Sequence, residues 1–169
     1  KVFHDDKTFF SMLILEGFQA GLSWITVLRK RAHFNDAFSN WDWVKIASYQ
    51  KEDVQRLLTN EGIIRNRLKI KAAITNAQAF IRVREEWSTF DRYIWKFTDY
   101  TTKTSQKRAT TFEQLPTHSP ESDLMSKDLK KRGFSFVGTT ICYAYMQSIG
   151  MVDDHQKNCF RVKKSNHEK

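Results

Sequence analysis

Residues 129–147, LKKRGFSFVGTTICYAYMQ, decide how this chain folds. Three basic residues, Lys130, Lys131 and Arg132, run into Gly133; aromatics follow, and Gly138 opens a second apolar segment. The pattern predicts a helix that ends at Gly133, where glycine takes a positive φ without steric cost, then a tight turn, then a helix from Gly138. The preceding SPESDLMSKDLKKR supplies the first helix, with Ser119 or Ser122 as its cap and acids just inside its start. Phe134, Phe136 and Val137 are expected to anchor the turn in the core. A helix start exposes free N–H groups, and Thr139 and Thr140 add hydroxyls. Beside Lys131 and Arg132 such a turn suits an anion, with a DNA phosphate the natural one. On these residues alone, an ordinary helical hairpin with a glycine cap remains equally open.

Outward from this stretch the same periodicity recurs. DKTFFSMLILEGFQA places Phe9, Phe10, Leu13 and Ile14 at helical spacing. SWITVLRKRAHFNDAFSN reads as a second helix with Ile25, Leu28, Phe34 and Phe38 apolar. KEDVQRLLTN is a short third, stopped near Gly62. NRLKIKAAITNAQAFIRVREE is the longest, with Ile70, Ala73, Ile74, Ala77, Phe80 and Ile81 on one face. STFDRYIWKF follows a Ser/Thr cap. The stretch TDYTTKTSQKRATTFEQLPTHSPES holds both prolines and reads as a loop with one turn of structure. No hairpin dipeptide and no internal repeat stands out. The class is all-α, a compact multi-helix domain over 1–162, with a charged tail at 163–169 expected to be disordered.

The 169 residues suffice for one domain with its own core. Lys and Arg number 28 against 19 acids, a net charge of +9, and the pI is about 9.6. A balance this basic favours a polyanion, nucleic acid first. No apolar run is long enough to span a membrane, and the start, KVFHDDKTFF, does not read as a signal peptide. Two cysteines are too few for a secreted disulfide framework, so a reducing cytoplasm is expected. The chain begins at Lys1 rather than Met, and an N-terminal segment is expected to be missing. A monomer is expected.

Three blocks in register, LEGFQAGLSWITVLRKR, NEGIIRNRLKI and LKKRGFSFVGTTICYAYMQSIGMVDDH, resemble the DNA-3-methyladenine glycosylase I family of bacteria. The resemblance covers nearly the whole chain. It implies a helix-hairpin-helix DNA glycosylase fold and a monofunctional enzyme of base-excision repair. Such an enzyme hydrolyses the N-glycosidic bond of 3-methyladenine in alkylated double-stranded DNA, leaving an abasic site and free 3-methyladenine. The 129–147 unit then becomes the DNA-anchoring hairpin, with Gly133, Phe134, Gly138, Thr139, Lys131 and Arg132 at the backbone. The competing readings are a non-catalytic helix-hairpin-helix DNA-binding module and a related glycosylase of different lesion choice.

An enzyme that acts on a base must take it out of the stack, so it needs a pocket, a polar reader and a wedge. Glu16 sits in the apolar MLILEGF. The resemblance makes it the catalytic and base-reading carboxylate, against the alternative of a helix-end acid paired to a nearby base. Trp24, otherwise a core indole, becomes the stacking wall, where a cationic ring gains about 0.5–2 kcal/mol. Leu22, between Gly21 and Ser23 on a predicted turn, becomes the intercalating wedge. Gln19 stands between a contact to the opposite strand and a solvated turn residue. Asp153 and Asp154 fall roughly where most helix-hairpin-helix glycosylases keep a catalytic aspartate, but the family this chain resembles does not rely on one, and a structural or capping role is favoured for Asp154 over activation of water. His155 and Cys159, at i and i+4, match two of the family's four structural zinc ligands. The other two, near the family's N-terminus, have no counterpart here, so zinc is expected as half a site, with no organic cofactor. Arg65, Arg67, Lys69 and Lys71 read either as a solvated helix face or as phosphate contacts.

Overall fold

The computed structural model describes residues 1–22, 24–105 and 108–162, less the side chains of Trp24 and Phe112. The tail at 163–169 lies outside the described residues. The helices are α1 (Asp6–Gln19), α2 (Trp24–Arg29), α3 (Arg31–Ala37), α4 (Trp43–Ala47), α5 (Lys51–Thr59), α6 (Arg67–Trp87), α7 (Phe90–Trp95), α8 (Pro120–Lys131) and α9 (Thr139–Ile149). A two-residue parallel pair, β1 (Lys103–Thr104) with β2 (Val152–Asp153), is the one departure from a helical fold among the described residues. It links the 98–122 stretch, read from sequence as loop, to the segment after α9. So short a pairing carries no periodic signal.

Helix α1 runs through the middle of the molecule. Phe9, Phe10, Leu13 and Ile14 are buried as expected, and Leu15, Glu16, Gly17 and Phe18 are buried as well, so the helix is enclosed on most sides. Its aromatics join two clusters. Phe10 meets Phe80 edge-on at 5.0 Å, and Phe80 stacks on Phe90 at 4.3 Å. Phe18 packs edge-on to Phe34 at 4.8 Å, and Phe38 stacks on Trp41. Each ring removes about 150–250 Å² from water, so these clusters dominate the core. Asp5 caps α1, accepting from the Thr8 N–H at 2.9 Å. Asp6 accepts from the Phe90 and Asp91 N–H groups and thereby fixes the start of α7.

The predicted second helix is broken at Lys30, whose backbone (φ −96, ψ 1) leaves the helical well and whose ammonium donates to the Glu61 carbonyl at 2.8 Å. The break rotates α2 relative to α3. Phe34 and Phe38 are buried as the spacing predicts, but Ile25 (52 % exposed) and Leu28 (41 % exposed) face out, and Val27 takes the core position instead. On α6 the expected face holds: Ile70, Ala73, Ala77 and Phe80 are buried, with Ile74 and Ile81 half-buried. Helix α4, which the periodicity did not reveal, is one short turn capped by Asp42 through the Val44 and Lys45 N–H groups.

Candidate active site

The stretch at 129–147 is a helix, a turn and a helix. Ser119 caps α8 and forms a capping box with Ser122, and the two lysines, Lys130 and Lys131, lie in its last turn. Gly133 has φ +91, so it ends α8 in the conformation that the sequence assigned to glycine. Phe134 and Val137 anchor the turn in the core. Phe136 does not: it is 37 % exposed and carries a positive φ of 57, a strained conformation for an aromatic residue. Gly138 is the N-cap of α9 with an ordinary φ of −62, and a Cβ built there meets open space. The first intrahelical bond of α9 runs from the Cys142 N–H to the Gly138 carbonyl. Helix geometry leaves the preceding N–H groups without an intrahelical acceptor.

The polar side chains of this unit divide in two. Lys130 and Lys131 are exposed. The Arg132 guanidinium, in contrast, is committed inward. It donates to Glu86 at 2.6 and 3.1 Å and to Asp128 at 2.9 Å, and lies over the Tyr93 ring. Its expected contact to phosphate is thereby corrected to a brace between α8 and α6. The Thr139 hydroxyl is likewise occupied, donating to Asp123 and pairing with Ser122 at 2.9 Å. What Thr139 offers a ligand is its backbone at the helix start.

Facing the hairpin is the end of α1. Ala20 (φ −50, ψ 118) and Gly21 (φ 78) form a type II turn closed by the Leu22 N–H to the Gln19 carbonyl at 2.8 Å. Leu22 is 40 % exposed at its tip, an apolar side chain held out in solvent as the wedge reading requires. The Gln19 amide folds back and donates to the Leu22 carbonyl at 3.1 Å, so it stiffens the turn. Trp24 begins α2 directly after this turn; its side chain, and with it the predicted stacking wall, lies outside the described residues.

Glu16 lies one helical turn before the type II turn. It is 3 % exposed, and among the described residues no cation or hydrogen-bond donor pairs with its carboxylate. Burial alone pushes its pKa from 4.5 up to about 7. The expectation of a helix-end acid paired to a nearby base is thus not what the fold provides. A buried, unpaired carboxylate beside an exposed turn is costly, and groups of this kind cluster at functional sites.

The lysine of the Arg65, Arg67, Lys69, Lys71 group that turns inward is Lys69, 8 % exposed. Its ammonium donates to the carbonyls of Phe18 (2.8 Å) and Ala20 (2.6 Å) at the end of α1, which corrects the phosphate-facing reading for this residue. Arg65, Arg67 and Lys71 are exposed. Asp153 is held by Arg108 through two bonds of 3.0 Å, which keep its carboxyl below the ordinary aspartate range. Asp154 accepts from the Tyr143 hydroxyl (2.9 Å) and the Gln147 amide (2.8 Å), bonds that tether it to α9.

His155 and Cys159 lie in the irregular segment after β2 rather than on a helix, with Nδ1 and Sγ 3.7 Å apart. Two ligands of one tetrahedral zinc sit about 3.5 Å apart, from Zn–N of about 2.0 and Zn–S of about 2.3 Å, so this pair fits half such a site. Among the described residues no group of three or more potential ligands is present.

Comparison with known proteins places this geometry. A family model described as methyladenine glycosylase matches residues 1–162. The chain is 49 % identical over 155 residues to DNA-3-methyladenine glycosylase 1 of Escherichia coli (strain K12), spanning 92 % of this chain and 82 % of that protein. A crystal structure of 3-methyladenine DNA glycosylase I superposes with a TM-score of 0.90 at 47 % identity, covering 95 % of this chain and 87 % of the other. The Staphylococcus aureus 3-methyladenine DNA glycosylase I, solved for the basis of 3-methyladenine recognition, superposes at 0.91 with 30 % identity, covering 98 % and 87 %.

Proposed function

This chain belongs to the methyladenine glycosylase family, and we infer that it is a DNA-3-methyladenine glycosylase, which extrudes the methylated base from duplex DNA and hydrolyses its N-glycosidic bond. The observation that carries the residue-level reading is Glu16: a carboxylate buried without a partner, one helical turn before the type II turn that carries the exposed Leu22, and across from a glycine-bounded hairpin. In this reading the exposed Lys131 and the backbone of Gly133, Phe134, Gly138 and Thr139 hold phosphates and set the register on the duplex. Leu22 fills the gap left by the departing base. Gln19 supports that wedge from behind. Glu16 accepts from the exocyclic amine of the flipped adenine, with Trp24 assigned to its face.

The chemistry follows from the lesion. Methylation at N3 makes the base cationic, so the C1′–N9 bond breaks with its electron pair going to N9 and neutral 3-methyladenine departs. A water oxygen bonds to C1′ and its proton passes to solvent, leaving the abasic sugar. The ionised Glu16 carboxylate attracts the cationic base and holds it in a site from which bulk water is excluded. No aspartate is required to activate water, and Asp154, tied to Tyr143 and Gln147, keeps a structural part.

The same reading takes residues 1–162 as one glycosylase domain that acts as a monomer in the cytoplasm. Among the described residues, no helix is long and apolar enough to cross a membrane. Where zinc is bound, His155 and Cys159 are two of its ligands, and the ion's contribution is structural, pinning the segment after β2.

Chromatography of bases released from methylated duplex DNA tests the reaction. Free 3-methyladenine is expected with the natural chain and with Asp154→Asn, and Glu16→Ala is expected to lower the rate by about a hundredfold or more. The opposite ranking of the two variants reverses their roles.

A further inference from the structure

Lys69 is a charged side chain buried in a place where the reaction gives it nothing to do. It lies in the first turn of α6, yet its ammonium reaches the carbonyls of Phe18 and Ala20, 51 and 49 residues away in sequence. These carbonyls end α1, where the chain leaves the helix for the type II turn, and have no helical donor of their own. A cation is the favoured partner at a helix C-terminus. Lys69 is also the meeting point of three elements. A crevice with room for about one water is lined by Gly17 and Phe18 of α1, Lys69 and Asn76 of α6, and Phe136 of the hairpin. The Phe136 ring lies 5.9 Å from the ammonium. Two turns further along the same face of α6, Asn76 grips the hairpin through both atoms of its amide. Its amide donates to the Ser135 carbonyl at 3.0 Å, and the Ser135 N–H donates to its carbonyl at 2.8 Å.

We propose that Lys69 is a positioning residue of the glycosylase: by holding the last carbonyls of α1 it fixes the turn that carries Leu22 at a set distance from the DNA-anchoring hairpin. The inference rests on the functional reading above and adds to it the part that locks wedge and anchor into one rigid frame. The wedge must enter the duplex at a fixed offset from the phosphates that the hairpin grips. The two elements are more than a hundred residues apart in sequence, and α6 bridges them through Lys69 on one side and Asn76 on the other. Strain at Phe136 persists because the Asn76 clamp on Ser135 holds the neighbouring backbone. Burial lowers the Lys69 pKa from the ordinary lysine value, as an amine enclosed among α1, α6 and the hairpin should show.

The test is a double-mutant cycle with two readouts. The natural chain, Lys69→Met, Leu22→Gly and the double variant are compared in kcat/KM on methylated duplex DNA. They are also compared in the fluorescence rise of a duplex with 2-aminopurine beside an abasic analogue, which reports unstacking by the wedge. Lys69→Met is expected to lower kcat/KM by about tenfold, since small misplacements of a positioned group cost this much or more. It is expected to suppress the fluorescence rise. In the Leu22→Gly background the same substitution should change kcat/KM by less than about twofold, as non-additivity between coupled residues requires. Losses that multiply, or a fluorescence rise that Lys69→Met leaves unchanged, overturn the proposal. If Lys69→Met does not fold, Lys69→Gln carries the same cycle with the same outcomes. A natural chain that unstacks the duplex but releases no base refutes the reaction and leaves the role of Lys69 standing on the fluorescence. A natural chain that produces no rise overturns the wedge and Lys69 with it.

Discussion

Glu16 is where the account is most exposed to stability measurements. An ionised carboxylate buried without a partner must cost the folded state free energy, and the cost must depend on pH. Burial moves the Glu16 pKa from 4.5 to about 7. Because the folded value is raised, the folded state holds the proton more tightly than the unfolded chain. Its contribution is fully present below 4.5, is lost as pH rises from there through about 7, and is flat above. At about 1.4 kcal/mol per pKa unit, that gap corresponds to about 3 kcal/mol. Glu16→Gln removes the titration and keeps the shape. Its amide carries its own burial penalty, but that penalty does not vary with pH. The stability difference between variant and natural chain, from urea unfolding, should therefore move by about 3 kcal/mol in favour of the variant between about pH 4 and about pH 8.5. For a chain of this length the corresponding change in relative Tm is about 6 to 12 °C. Other groups titrate over the same range, but they are common to both proteins and cancel. Curves that run parallel across the range would refute the reasoning, because they would mean that Glu16 is hydrated or paired in the folded state.

Three further outcomes follow from the hairpin and its approach to α1. Lys131→Ala should weaken duplex binding without changing lesion preference and should reduce the slope of log affinity against log salt by about 1, measured by fluorescence anisotropy. At Gly17 a Cβ would lie 3.4 Å from the Phe136 Cβ, an ordinary contact. Gly17→Ala is accordingly expected to be neutral or to stabilise by up to about 1 kcal/mol in denaturant unfolding, through helix propensity. Gly17→Val, whose extra methyls meet Phe136, should destabilise the fold and weaken duplex binding.

Several parts of this arrangement were legible in the sequence because they are local. Gly133 announces its turn since only glycine takes a φ of +91 without strain, and the seven-residue connection between α8 and α9 follows from it. Glu16 stands out because a lone acid in MLILEGF has no neighbour along its own helix to neutralise it. Gly21 followed by Leu22 already describes a turn with an exposed apolar tip. Long-range contacts were not legible. Lys69 looks like any cation on a basic helix start until its carbonyl partners, about fifty residues earlier, come into view. Arg132 shows half of its commitment in the i, i+4 spacing from Asp128, but its bond to Glu86 spans 46 residues. Helix α2 is too short for its periodicity to be phased, so Ile25 and Leu28 were assigned to the core that Val27 occupies. Backbone strain at Phe136 has no signature in residue type, since aromatic residues seldom adopt a positive φ.

The central claim is that a buried carboxyl awaits the methylated base, and its most direct test is to watch that carboxyl. With ¹³C-labelled glutamate, the Glu16 carboxyl resonance is the one that Glu16→Gln removes. Without ligand it should titrate near 7. Saturating 3-methyladenine should lower that midpoint, because the exocyclic amine donates to the ionised form. A midpoint in the ordinary glutamate range without ligand, or one that 3-methyladenine leaves unmoved, would contradict the account.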